Sequence, residues 1–164
     1  MKKKHGMCAL CKKETDLTFE HIPPRAAFNS KPSRPIKVAD LIKHKEMMPW
    51  ETDGLKYENL QQGMGYSCLC QSCNNLTGTW YGDSYVKFAQ AAAYVVKASP
   101  EIRKNSVEFL DIYPLRVIKQ IVSMFCSINP PDRFDLDDLR KFVINKQETG
   151  IDATKYRLCM CLST

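Results

Sequence analysis

Nowhere in the 164 residues is there a run of about 18 apolar side chains, so no segment has the length of a membrane-spanning helix. The opening MKKKHGMCALCKKETD has a basic head with no apolar core behind it, and is not expected to act as a secretory leader. Two common catalytic carriers are also missing. There is no Gly-rich loop to cradle a nucleotide's phosphates, and no Gly-x-Ser-x-Gly elbow to present a nucleophilic serine. Internal repeats and low-complexity tracts are absent, which argues against a solenoid and against a disordered tail. With 44% hydrophobic and 26% charged residues, what remains is an ordinary globular composition, expected in the cytoplasm.

Cysteine, by contrast, is plentiful, at eight residues. In a reducing compartment, Cys-x-x-Cys spacings read as metal knuckles before they read as disulfides. Cys8 and Cys11 form one such pair, Cys70 and Cys73 another. Four thiolates from two knuckles make a closed tetrahedral zinc site, which would tie the ends of the long segment between them. The run Cys68-x-Cys70-x-x-Cys73 also lets Cys68 stand in for either neighbour. Cys70 and Cys73 are preferred because their spacing mirrors that of Cys8 and Cys11. Cys68 and Cys126 are then expected in the core. Cys159 and Cys161 are two apart, so on a strand they would share a face, a poor arrangement for a knuckle.

Charge is distributed unevenly. Residues 1–50 hold eleven Lys and Arg against five Asp and Glu, while the rest of the chain balances, so the whole net charge of +6 lies in the first third. All three histidines lie there too. A basic face on an otherwise neutral chain suits a polyanion, and nucleic acid is the commonest. Arg25, Lys31, Arg34 and Lys37 are the candidate phosphate contacts, which would add affinity without sequence choice.

The pattern along the chain predicts an α+β fold. Strands are expected at 17–21 and 65–69, joined by a proline-broken connection with a short helix over 36–47. A helix is expected to start within 70–75. Another covers 83–98, with Asp83 as its cap and an apolar stripe from Val86 to Val96. Further on, the sequence predicts a strand at 106–112, a helix at 114–128 opened by Pro114, a helix at 135–145 capped by Asp135, and a strand at 155–163. The division expected is a small finger, residues 1–82, and a mainly helical support region, 83–164. The abrupt end at Thr164 suggests a piece of a larger parent. The support helices are the expected seat of a protein partner or a second copy of the chain.

Glu20-His21 ends the first strand. A carboxylate is a hard ligand for a divalent cation, and a neutral imidazole can take a proton from an attacking water near neutral pH. The order Cys8, Cys11, Glu20-His21, a strand, Cys70, Cys73-Asn74 and a helix resembles the zinc-stapled His-Me finger (HNH, ββα-metal) endonucleases, the branch typified by phage endonuclease VII. The resemblance covers about residues 8–90. It implies a structural zinc on Cys8, Cys11, Cys70 and Cys73. It also implies a catalytic Mg²⁺ or Mn²⁺ held by Glu20 and Asn74, with His21 as general base on a DNA phosphodiester. Asn75 would replace Asn74 if the helix began one residue later. Asn59 is the candidate for the family's middle asparagine, which braces the base. Arg25, just beyond the strand end, is placed to grip the scissile phosphate. Glu20 departs from the more usual Asp. Two rival readings are a zinc module that binds nucleic acid without cleaving it, and a protein-interaction module that zinc merely stabilises.

Overall fold

The computed structural model describes residues 4–36, 42–43, 51, 54–98, 111–132 and 136–159. Among these, three strands form one antiparallel sheet in the order β1-β2-β3: β1 (Lys4–Met7), β2 (Glu14–His21) and β3 (Gly65–Cys70). The β1–β2 hairpin pairs Lys4 with Leu17 and Met7 with Glu14, so the first Cys-x-x-Cys forms its turn. Lys12, with φ of 58°, takes the left-handed residue that closes this turn. Leu17 also faces Cys70 across β3, and a register shift between Thr18 and Phe19 brings Glu20 opposite Tyr66 and His21 opposite Gly65.

β1 had no signal in the sequence. Its KHGM is too short and too polar to alternate, and the strand stays largely exposed as it leads into the Cys8–Cys11 turn. The other two strands match expectation, with β2 beginning earlier than residue 17. α1 (Gln71–Thr77) starts within the expected window, with Cys70 as its N-cap accepting from the Cys73 amide. It runs straight into one turn of π-helix (Gly78–Gly82) and then α2 (Asp83–Ala98). Asp83 is therefore not a cap. Its φ and ψ of −61° and −41° are helical, because the helix never stops between 71 and 98.

α3 (Pro114–Ile128) falls where predicted, with proline in its first turn. α4 (Asp137–Ile144) is shorter than expected, and its N-cap Leu136 makes no side-chain capping bond; Asp135 lies outside the described residues. The strand expected at 155–163 is not formed over 156–159, where Cys159 is exposed and the chain is irregular. Residues 106–110, Lys37, most of 36–47, and Cys161 lie outside the described residues.

Finger and support share one core. Cys8, Leu10, Leu17 and Leu69 pack in the same cluster as Val122, Cys126, Leu139, Phe142 and Val143. Three buried polar side chains lock α4 to its neighbours. The Tyr81 hydroxyl donates to the Val143 carbonyl at 2.8 Å. Lys119, buried on α3, donates to the Phe142 carbonyl at 2.7 Å and to that of Asn145, so its ammonium caps the C-terminus of α4. Arg140, 3% exposed, sends its Nε to the Ala9 carbonyl of the first knuckle at 2.9 Å. As predicted for Cys68 and Cys126, both thiols are core, and burial pushes each up to about 11.

Candidate functional site

At one end of the sheet, the Sγ atoms of Cys8, Cys11, Cys70 and Cys73 all lie within 4.8 Å of one another. The Cys11–Cys70 sulfur separation is 3.8 Å. A tetrahedron with metal–sulfur bonds of about 2.3 Å has edges of about 3.8 Å, whereas a disulfide would need about 2.05 Å. Four cysteines are thus positioned to bind a metal ion, with a donor set compatible with structural zinc. The backbone supports anionic sulfur: the Cys70 amide points at the Cys8 Sγ at 3.3 Å, and the Ser72 hydroxyl meets the Cys70 Sγ at 3.1 Å. The Cys73 thiol, bonded to the Cys8 sulfur, holds Cys8 well below the usual thiol range. That same bond, together with burial, pushes Cys73 up. Four thiols this close cannot all ionise unaided, and a dication removes the conflict. Cys68 is not in this cluster.

The second end of β2 carries Glu20 and His21. The Phe19 and His21 rings meet edge-on with centroids 5.0 Å apart, so these two side chains share a face of the strand. Alternation puts Glu20 on the opposite face, with Thr18. Burial pushes the Glu20 carboxyl up from 4.5 to about 7, and no hydrogen bond or ion pair offsets this among the described residues. His21 Nε2 lies 3.2 Å from the Gln62 carbonyl. A carbonyl only accepts, so Nε2 is the donor of this bond, and in the neutral ring the lone pair is on Nδ1.

Asn74 is the third candidate. Its Nδ2 donates to the Thr18 hydroxyl at 2.9 Å and lies 3.5 Å from the Phe19 carbonyl. This fixes the Asn74 amide against β2 on the Thr18 side, the face that alternation also gives Glu20, and its Oδ1 accepts no bond among the described residues. Asn75 faces elsewhere: its Oδ1 accepts from Gln71 Nε2 at 2.8 Å on the exposed side of α1. The two adjacent asparagines therefore do different things, and Asn74 is the one directed at the strand that ends in Glu20-His21.

Asn59 is exposed, and no hydrogen bond joins it to His21 among the described residues. The bracing group that sequence reading missed is Asn29. It is 9% exposed and bonds at 2.6 Å to the Pro23 carbonyl, the Met64 carbonyl and the Met64 amide. One side chain thus clips the segment leaving β2 to the segment entering β3, and so seats the Gln62 carbonyl beside His21. Gly63, with φ of 98°, makes this approach feasible, since a Cβ there would lie 2.0 Å from the Asn29 carbonyl oxygen. The pair Gly63 and Gly65 flanking Met64 was the available signal of a close backbone approach.

Arg25 and Lys31 are exposed in the turn that follows the strand end. The Arg34 guanidinium lies 5.0 Å from the centroid of the Tyr57 ring. No described contact joins any of the three to Glu20 or His21. No protein-family profile, no curated protein and no solved structure matches this chain.

Proposed function

We propose that the chain is a metal-dependent endonuclease of the His-Me finger kind, hydrolysing DNA phosphodiester bonds. The observation that carries this reading is the His21 imidazole. Its Nε2–H is held on a backbone carbonyl, leaving Nδ1 basic at the end of a strand whose neighbour leads directly into the Cys73-Asn74 knuckle.

In this reading His21 Nδ1 takes the proton from water as it attacks phosphorus. Glu20 and the Asn74 Oδ1 would hold the divalent cation, Mg²⁺ or Mn²⁺. The fit rests on Glu20: a partly buried carboxyl whose ionised form burial disfavours, with no cationic partner among the described residues, would be stabilised by a bound cation. Bound there, the cation would supply charge stabilisation at the phosphate and at the departing oxygen. The four cysteines would hold zinc as a staple with no chemical part. Arg25 and Lys31, exposed just past the strand end, would meet phosphates on either side of the break, and Arg34 and Lys37 would extend that track.

The test is plasmid nicking by the zinc-loaded protein with Mg²⁺ or Mn²⁺. Wild type is expected to nick, while His21→Ala binds DNA and leaves it intact; Asn74→Ala should lower the rate at limiting metal more than at saturating metal. If wild type and His21→Ala are equally inert across both metals while still binding DNA, the chain is a zinc-stabilised binding module and the nuclease reading fails.

A further inference from the structure

A cluster of exposed rings and cations sits where the π turn, the start of α3 and the segment after α4 come together. Trp80 belongs to the π turn, Tyr113 and Arg116 to the start of α3, and Lys146 lies just beyond α4. The Trp80 and Tyr113 rings are 41% and 59% exposed, and both cations are exposed. Lys146 Nζ stands 3.5 Å from the centroid of the Trp80 ring. The Arg116 guanidinium lies 4.7 Å from the Tyr113 centroid and 5.9 Å from that of Trp80. One indole is therefore shared by two cations.

What these cations lack is an acid. Lys12 and Arg140 pair with Asp137, and Lys155 pairs with Asp138 and Asp152. Arg116 and Lys146 make no ion pair among the described residues; Asp111 and Glu148, the nearest acids along the chain, pair with neither. A carboxylate cancels the charge of a cation it meets, whereas an aromatic face holds the cation and leaves its charge whole. Cations seated in advance also lose less side-chain freedom when an anion arrives. Trp80 owes its place to a π turn inside a helix that otherwise runs unbroken from 71 to 98, an irregularity found frequently at functional sites. Two uncompensated cations beside exposed ring faces suit a nucleic-acid strand, which brings phosphates for the cations and sugars for the rings. An acidic peptide brings the charge but no repeating ring to pack on the aromatics. Trp80 lies six residues beyond Asn74 on this helix, roughly 9 Å along its axis, or less than about three base-pair rises.

We propose that Trp80, Tyr113, Arg116 and Lys146 form a second hold on the DNA, gripping its backbone beyond the stretch next to the cut. Arg116 and Lys146 meet phosphates, while Trp80 and Tyr113 seat those cations and pack on the sugars. The proposal rests on the nuclease reading for its ligand class, but on binding and not on cleavage.

The test uses the zinc-loaded full chain carrying His21→Ala and a fluorescein-labelled DNA duplex, followed by anisotropy over a series of KCl concentrations. Each phosphate contact contributes about 0.9 to the slope of log affinity against log salt, so adding Arg116→Gln and Lys146→Gln is expected to lower the slope by about 1.8. Taking that contribution as nil at about 1 M salt, the affinity at about 0.1 M should fall roughly 60-fold. Arg116→Lys keeps the charge and should retain most of the slope. Lys155→Gln is the control: it is 58% exposed but already matched by Asp138 and Asp152, and should leave the slope unchanged. Thermal unfolding at saturating zinc checks that each variant is folded. An unchanged slope in the double variant overturns the proposal, and so does the same loss in Lys155→Gln or an absence of DNA binding by the parent. Loss of polyglutamate binding with DNA binding intact overturns it too, in favour of an acidic protein partner. Nicking by the wild type is scored apart. Nicking with an unchanged slope removes this hold and keeps the nuclease. The expected fall in slope without nicking by wild type keeps the hold and removes the nuclease.

Discussion

Replacing Arg140 with methionine should destabilise the protein by about 3 kcal/mol, although Arg140 touches none of the candidate catalytic groups. Its guanidinium is 3% exposed and divides its donors three ways: Ala9 carbonyl at 2.9 Å, Asp137 carboxylate at 2.9 Å and Pro131 carbonyl at 3.0 Å. Methionine preserves much of the apolar stem but none of the donors. The acceptors then fare differently. Asp137 is half in solvent and rehydrates. Pro131 is partly exposed and water can reach it. Ala9 is 2% exposed, so its carbonyl is stranded. A stranded buried acceptor costs about 1–3 kcal/mol, and a lost hydrogen bond to a charged donor is worth about 1.5–3 kcal/mol. Those ranges overlap in what they count, which is why about 3 kcal/mol, and not their sum, is expected. For a chain of this size that corresponds to a melting temperature lower by roughly 6–12 °C. The assay is denaturant and thermal unfolding with zinc held at saturation in every sample. Arg140→Lys should fall between, since an ammonium can reach one acceptor but not the planar three. Because Ala9 lies within the first knuckle, the methionine variant should also surrender zinc to a chelator faster than wild type. A loss below about 1 kcal/mol with unchanged zinc release would refute the idea that α4 supports the knuckle through this side chain.

Other outcomes follow from the same geometry. One zinc per chain is expected by elemental analysis; Cys11→Ser and Cys73→Ser should lose it, while Cys68→Ser should keep it, because Cys68 lies outside the cluster. Asn29→Ala should cost about 2–3 kcal/mol by stranding buried backbone groups at Pro23 and Met64. Long-range ¹⁵N correlation should show His21 leaving the single Nε2–H tautomer in that variant; an unchanged tautomer would disconnect Asn29 from His21. For Glu20 the native pKa of about 7 exceeds the ordinary 4.5, so the fold binds this proton more tightly than the unfolded chain does. Stability is therefore lost as pH rises through this window, and Glu20→Gln, which cannot ionise, should gain on the metal-free-site wild type. The gain at pH 8 should exceed that at pH 5.5 by about 1–2 kcal/mol. Parallel stability curves would show that Glu20 is solvated. Added Mg²⁺ should raise the wild type's stability and not that of Glu20→Gln.

Much of the staple and of the strand that bears Glu20-His21 could be read from residue order alone, because those features are local. Cys-x-x-Cys turns, the apolar strand ending in Glu20-His21, and the proline-led α3 each carry their signal within a few residues. What could not be read was non-local or depended on a partner. β1 has no apolar alternation, and its strand exists because the hairpin turn is fixed by Cys8 and Cys11 and because Leu17 offers it an edge. The Asp83 cap was a sound local inference that lost to continuity: a π turn absorbs Gly78–Gly82 and carries α1 into α2 without a free amide to cap. Asn29 lies in a proline-rich stretch with no periodicity, and its three partners come from the segments on both sides of the long loop. Arg140 sits among charged neighbours in the DDLRK segment of α4, and only the fold reveals that it reaches residue 9.

The geometry also ties the two ends of β2 into one device. Leu17 is opposite Cys70, at the zinc end, and Glu20 lies three residues further along, about 10 Å at strand rise. Cys73 and Asn74 are consecutive on α1, so whatever fixes the Cys73 sulfur fixes the Asn74 amide within one residue's freedom. That amide in turn bonds Thr18, between the two ends. In the proposed reading, a metal at the knuckle would hold the Asn74 amide in place against the strand that carries Glu20 without touching either side chain. If Glu20 binds a cation as proposed, zinc removal should weaken that binding before it unfolds the helices, even though Val122, Cys126 and Phe142 share their core with Cys8 and Cys73. A chelator titration that follows Mg²⁺ affinity and helix content together should show the affinity falling first. Coincident loss would mean that knuckle, strand and core form a single cooperative unit and that the staple has no separate positioning role.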